Sequence, residues 1–154
     1  MKKRLYRSAL TALVVSFLLV GFKAKNAVPG NGNPCDSEAF LNKCAPSLED
    51  FVFITTFKVY SEKQGDKTNY SYVLSRGTNY KIVICDQNEE GNRMIVNFYD
   101  RSKKLIASNY LKSSKKFFPS INFPCQVTGV YYVEVYFEGE KKGCGLNILG
   151  FKKG

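Results

Sequence analysis

Beyond Pro46 the chain alternates apolar and polar residues with a period of two, and the alternation recurs down to the C-terminus. In FVFITTFKVY the side chains of Phe51, Phe53, Phe57 and Val59 share one face, the pattern of a strand with a single side on a core. The same spacing returns in Tyr70, Tyr72 and Leu74, in Tyr80, Ile82 and Ile84, and in Met94, Val96 and Phe98. It continues in Leu105 to Ser108, in Phe117, Pro119, Ile121 and Phe123, in Tyr131, Val133, Val135 and Phe137, and in Leu146 and Ile148. Eight strands are predicted. Between them SEKQGDKT, SRGT, DQNEEGN, DRSKK, SNYLKSSKK, CQVTG and EGEKKG are rich in turn formers. Short strands in such succession point to an all-β fold, an eight-stranded antiparallel sandwich of two sheets, rather than to βαβ units.

Ahead of the strands, Asn33 precedes Pro34, with Asp36 in the first turn, a start signal for a helix. Ala45 before Pro46 is a stop, so one short N-terminal helix is expected over 34–43, with Ala39, Phe40 and Leu41 facing a core. VPGNGN at 28–33 reads as a flexible leader.

The start of the chain changes the meaning of its composition. MKKRLYRS is followed by an apolar run from Ala9 to Phe22 and then by KAKNAVPG, the order of a secretory signal peptide. Fourteen apolar residues fall short of the roughly 20 that span a bilayer. Cleavage is expected after Ala27, and no cysteine follows the run before Cys35, so no lipid attachment site is present and a soluble mature protein is expected. Loss of residues 1–27 removes six basic residues and no acidic ones. The formal charge then falls from +10 to +4, with 17 basic residues facing 13 acidic ones. Much of the basicity is therefore a targeting device. Nucleic acid is set aside as a partner, and a periplasmic or extracellular location is expected. The remainder forms one domain over 34–154, large enough to bury its own core.

All five cysteines (Cys35, Cys44, Cys85, Cys125, Cys144) lie in the exported part, where disulfides form. No C-x-x-C pair and no histidine occur, so zinc and haem sites find no support and no cofactor is implied. An odd count leaves one thiol unpaired or linked to another chain, which allows a disulfide-linked dimer. Cys35 and Cys44 would stand roughly 13 Å apart on one continuous helix, and pair only if it bends.

The segments YSYVLSRGTNYKIVICD, MIVNFYDRSKKLIAS and FPCQVTGVYYVEVYF resemble the bacterial pre-peptidase C-terminal domain family over Phe51 to Phe151. The shared features are an aromatic strand, a Gly-led strand, an apolar strand ending in a Tyr-Asp turn, and a turn followed by Gly-Val-Tyr-Tyr. The resemblance implies an eight-stranded jelly roll that accompanies secreted proteins and has no activity of its own. It also implies that the third strand (80–85) lies antiparallel beside the eighth (144–149). A Cys85–Cys144 bridge follows from that placement. With no peptidase ahead of the domain, a free-standing binding module is the expectation.

Catalysis finds no apparatus here. Without histidine every Ser-His or Cys-His nucleophile is excluded, and Glu134 and Glu138 fall on the outward phase of their strand, away from any cleft between sheets. A non-enzyme is expected. Three other constellations remain. Asp86, Asn88 and Glu90 alternate before Gly91 like the first half of a calcium loop, although the twelfth position is Asn97 rather than Glu and a hairpin tip is rich in such residues anyway. Arg101, Lys103, Lys104, Lys112, Lys115 and Lys116 form a basic run on two rim loops, suited to acidic glycans, phosphates or an acidic protein, or simply to solubility. Tyr132, Glu134 and Tyr136 line the outer side of one strand. They could stack on and hydrogen-bond a sugar, or only pair across strands. The function expected is a non-catalytic binding or accessory module of the bacterial envelope, recognising a glycan or a partner protein; a structural subunit of an envelope surface or secretion assembly is the alternative.

Overall fold

The computed structural model describes residues 35–63, 65–87, 90–139 and 142–154. The predicted signal peptide and leader lie outside the described residues, as do Asn33, Pro34 and Asn88. Asp36 opens the first element: its carboxylate accepts the backbone N–H groups of Glu38 (3.0 Å) and Ala39 (3.2 Å) and caps helix α1, Ser37–Cys44. The helix thus begins three residues after the expected Pro34, because Asp36 rather than Asn33 satisfies its first amides. A 3-10 turn, Ala45–Leu48, follows at Pro46.

Ten strands come next: β1 (Val52–Ser61), β2 (Thr68–Leu74), β3 (Thr78–Asp86), β4 (Met94–Tyr99), β5 (Leu105–Ser108), β6 (Tyr110–Leu111), β7 (Lys116–Phe117), β8 (Ser120–Pro124), β9 (Gly129–Phe137) and β10 (Gly143–Lys153). Two four-stranded antiparallel sheets form, β1-β10-β3-β8 and β2-β9-β4-β5. The eight predicted strands are these eight. The small β6-β7 ribbon is an addition: it takes up the segment read as the loop SNYLKSSKK together with Phe117, which was expected to open the sixth strand, and that strand begins instead at Ser120. Counted without it, the orders 1-8-3-6 and 2-7-4-5 are those of a jelly roll.

The core lies between the sheets. Phe57, Ile82, Ile84 and Leu149 from one sheet meet Val96, Phe98, Val133 and Val135 from the other. Aromatic rings close one end, with Phe98 edge-on to Phe123 at 4.9 Å and stacked on Tyr131 at 5.6 Å. At the start of β1 the expected common face breaks. A register shift between Phe53 and Thr55 changes the phase, so Phe57 and Val59 enter the core while Phe53 stays half exposed opposite Gly150.

A second, smaller apolar layer sits on the outer face of the first sheet. Val83, Leu146 and Ile148 are covered there by the N-terminal segment, through Phe40, Leu41, Leu48 and Phe51. A Cβ on Gly150 would come within 2.7 Å of the Leu48 side chain, so glycine lets the segment lie flat on the strand. Lys81, buried on this face, reaches Glu49 at 2.7 Å and anchors the far end of the segment.

The cysteines correct one expectation. β3 does lie antiparallel to β10, but Cys85 stands opposite Leu146, so Cys144 falls beyond its reach in register. Both point to the outer face instead, and each takes a partner from the segment above: Cys35–Cys144 and Cys44–Cys85, with Cα separations of 5.4 and 6.1 Å. The expected Cys85–Cys144 bridge is therefore replaced by two staples that hold the helix to the sheet.

Candidate functional site

The outer face of the second sheet is built on β9, whose even-numbered residues point outward. Glu134 sits opposite Asn69 of β2 and Asn97 of β4, with Tyr132 and Tyr136 on either side. Its carboxylate is occupied: Lys67 Nζ donates at 3.1 Å, Asn97 Nδ2 at 3.3 Å and the Tyr99 hydroxyl at 3.2 Å. Burial alone would raise the Glu134 carboxyl, but these donors outweigh it and hold it below its ordinary value. Both rings are also covered by cations, since Lys67 Nζ lies 5.4 Å from the Tyr136 centroid and Lys103 Nζ only 3.1 Å from that of Tyr132. The suggested sugar platform of Tyr132, Glu134 and Tyr136 is brought together as expected. It is already filled by the protein's own side chains.

Lys103 reaches Tyr132 because of the turn that carries it. Asp100 organises 100–104 by accepting Ser102 N–H (2.8 Å), Ser102 O–H (2.6 Å) and Lys104 N–H (3.0 Å), and its carboxyl is held below its usual range by these bonds. Lys103 adopts a left-handed conformation, φ 64°, uncommon for a residue with a side chain. The ammonium is thereby placed over the sheet rather than left to wander in solvent.

Beside this turn opens a cleft of about 280 Å³ at one end of the sandwich, lined by Arg101, Ile106, Phe123, Val127, Val130 and Tyr131 among others. The Tyr131 hydroxyl donates to the Val127 carbonyl at 2.7 Å, and burial, aided by the neighbouring Cys125 thiol, pushes that phenol up to about 12, so it remains a donor throughout the physiological range. Cys125 is unpaired and buried, its thiol on the same carbonyl at 3.2 Å. A bridge from it to another chain would require this loop to open. Around the cleft, apolar side chains face solvent: Val73 is 70% exposed, Val127 54% and Leu105 51%, with Val130 and Ile106 near 40%. Val73 and Val130 are cross-strand partners, and Leu105 lies opposite Tyr99 on the same outer face.

These residues were not singled out by the sequence reading, although a signal was there. Val73 and Val130 are apolar residues on the outward phase of strands whose inward phase is already apolar. The basic run is divided: Arg101, Lys103 and Lys104 follow the end of β4, whereas Lys112, Lys115 and Lys116 belong to the β6-β7 ribbon. That ribbon is tied through the Asn109 side chain to Met94 and Val96 at the start of β4, about 17 Å away along the strand. Of the calcium candidates, Asp86 is buried and accepts from Arg93 Nε (3.0 Å) and Met94 N–H (2.8 Å), while Glu90 is exposed. No cluster of three metal-ligating side chains occurs among the described residues. No helix among them is long and apolar enough to cross a membrane.

No protein-family model matches the chain, and no curated protein matches it. Among solved structures it is similar to PliG of Aeromonas hydrophila, a periplasmic lysozyme inhibitor of g-type lysozyme. The likeness is one of fold. It has 12% identity and a TM-score of 0.50, and covers 66% of this chain and 88% of that one. A bacterial β-sandwich is supported by it, without support for the pre-peptidase C-terminal family in particular.

Proposed function

We propose that this chain is an exported, non-catalytic binding module of the bacterial envelope whose ligand is a partner protein, held at the cleft end of the sandwich. The observation that carries this reading is the set of solvent-facing apolar side chains Ile106, Val127 and Val130 that line one cleft, with the exposed Val73 directly across the strand pair from Val130. Contiguous exposed apolar surface is a mark of association. The cleft lies just below the roughly 300–1,000 Å³ of small-molecule pockets, a size that suits an anchoring side chain of a protein. A glycan reading is weakened by the cations that cover both tyrosines and by the saturated Glu134 carboxylate. Two disulfides fit an oxidising compartment.

The fold neighbour makes a g-type lysozyme the first partner to try. The mature chain is immobilised and presented with a g-type lysozyme and, separately, with envelope glycans. Saturable lysozyme binding, with loss of its wall-degrading activity, is expected, and Val130→Asp or Ile106→Asp should abolish it without altering the melting curve. Saturable glycan binding that survives both substitutions would overturn the reading.

A further inference from the structure

Positive charge outweighs negative beside the cleft, where Asp100 is the acid among the lining residues. Arg76, Arg101, Lys103 and Lys104 are all exposed, and none has a carboxylate within ion-pair distance among the described residues. Arg101 lines the cleft and Lys103 and Lys104 follow it in the same turn, while the backbone N–H of Arg76 donates to Thr128 Oγ1 at 2.9 Å, joining the 75–77 turn to the loop that carries Val127. Asp100, the acid in their midst, spends its carboxylate on the Ser102 and Lys104 amides and the Ser102 hydroxyl. Lys103 follows in the left-handed turn, with its Nζ 3.1 Å from the Tyr132 centroid.

Such charge argues against a second copy as the occupant. β5 is an edge strand with Leu105 and Ile106 exposed, and Lys103 and Lys104 lead directly into it. Lysines on an edge are a device against edge-to-edge pairing. Charge complementarity then defines the partner. Resting on the reading of this end as the binding surface, we infer that the cleft takes a protein segment in which an apolar side chain is flanked by carboxylates. The apolar side chain enters between Ile106, Val127 and Val130, and the carboxylates meet Arg101, Lys103 and Arg76.

The test uses the intact oxidised chain on an array of short blocked peptides. A central Leu, Phe or Ser is flanked by Asp/Glu, by Asn/Gln or by Lys/Arg, and inorganic polyphosphate is spotted alongside. Binding should be strongest to acidic peptides with Leu or Phe at the centre and should weaken with added salt. Arg101→Glu and Lys103→Glu should each reduce it by about tenfold or more. Lys103→Met, which keeps the side chain over Tyr132 without its charge, should reduce it less, and circular dichroism and melting checks that all three variants fold as the parent does. Val130→Asp should remove binding altogether. If neutral or basic peptides bind as well, in a manner that Val130→Asp abolishes, the surface stands and the acidic partner is refuted. If polyphosphate binds as tightly as the acidic Leu peptides, the site is a plain anion site and the inference fails. If no peptide shows binding sensitive to Val130→Asp, both readings fall.

Discussion

Replacing Asn147 with leucine should stabilise this protein. Asn147 lies on β10 between Phe57 of β1 and Ile84 of β3, both core residues, and is completely buried. Neither its Nδ2 nor its Oδ1 finds a hydrogen-bond partner among the described residues. Each unsatisfied buried polar atom costs about 1–3 kcal/mol, so the pair withholds about 2–6 kcal/mol. Leucine has nearly the same shape and carries no polar atom; fitting it costs up to about 1.5 kcal/mol of local repacking. Taking the lower end of the gain against the full repacking cost, a net stabilisation of at least about 0.5 kcal/mol is expected, which in a domain of this length raises Tm by about 2 °C or more. Urea unfolding read at an unchanged slope, together with calorimetry, measures it. Asn147→Ala removes the same polar atoms but leaves a cavity, and should fall below the leucine variant. A loss of about 1 kcal/mol or more in Asn147→Leu would refute the argument, by showing that the amide is satisfied inside the core.

The disulfides and the sheet surface give two further tests. Non-reducing peptide mapping should link Cys35 to Cys144 and Cys44 to Cys85, with Cys125 alkylated only in denaturant; removing the Cys44–Cys85 staple by a double Ala substitution should cost about 4 kcal/mol from loop entropy. Any mapped peptide joining Cys85 to Cys144 would contradict the pairing. Glu134 should titrate below its ordinary 4.5 when followed by NMR, and Lys67→Met should move it upward. Because the folded value is the lower one, the contribution of Glu134 is complete above about 4.5 and is lost as pH falls through that lower value; an unshifted carboxyl in the parent would sink the claim.

The period-two alternation made the eight sandwich strands legible, because each inward position is apolar along nearly its whole length. Where that regularity was broken the sequence misled. The bulge after Phe53 turns a residue that reads as core toward solvent, and nothing in FVFITT marks which residue is the extra one. The helix start was misplaced because three competing cap signals lie within four residues, Asn33, Pro34 and Asp36, and only the geometry of the Asp36 carboxylate decides between them. The disulfides were illegible for a different reason. β3 and β10 were expected to be neighbours and are, but pairing depends on register and on which face carries each thiol. That face is known only once the N-terminal segment is laid across it. Tyr132, Glu134 and Tyr136 were correctly expected to share a face, yet their partners Lys67 and Lys103 come from turns whose reach a strand pattern does not specify.

The two faces of the sandwich therefore serve different ends. On the outer face of the first sheet the small apolar layer is covered and the cover is fastened by two disulfides and the Lys81–Glu49 pair, while Phe53 and Tyr60 of β1 stay about half exposed beside it. On the second sheet no such cover is found among the described residues. Its centre is closed by the Glu134 network, a set of polar bonds satisfied within the sheet itself. Toward the cleft end, strands supply the exposed Ile106 and Val130, and loops supply Val127, Arg101 and Lys103. Loops can vary in sequence without disturbing the sheets behind them, whereas a changed strand residue would have to fit a core already packed on its other side. Under the proposed reading, recognition is confined to the cleft end and the sheet faces away from it carry stability alone. Substitutions on the closed faces should then alter stability, and those on the 100–104 and 125–128 loops should alter binding.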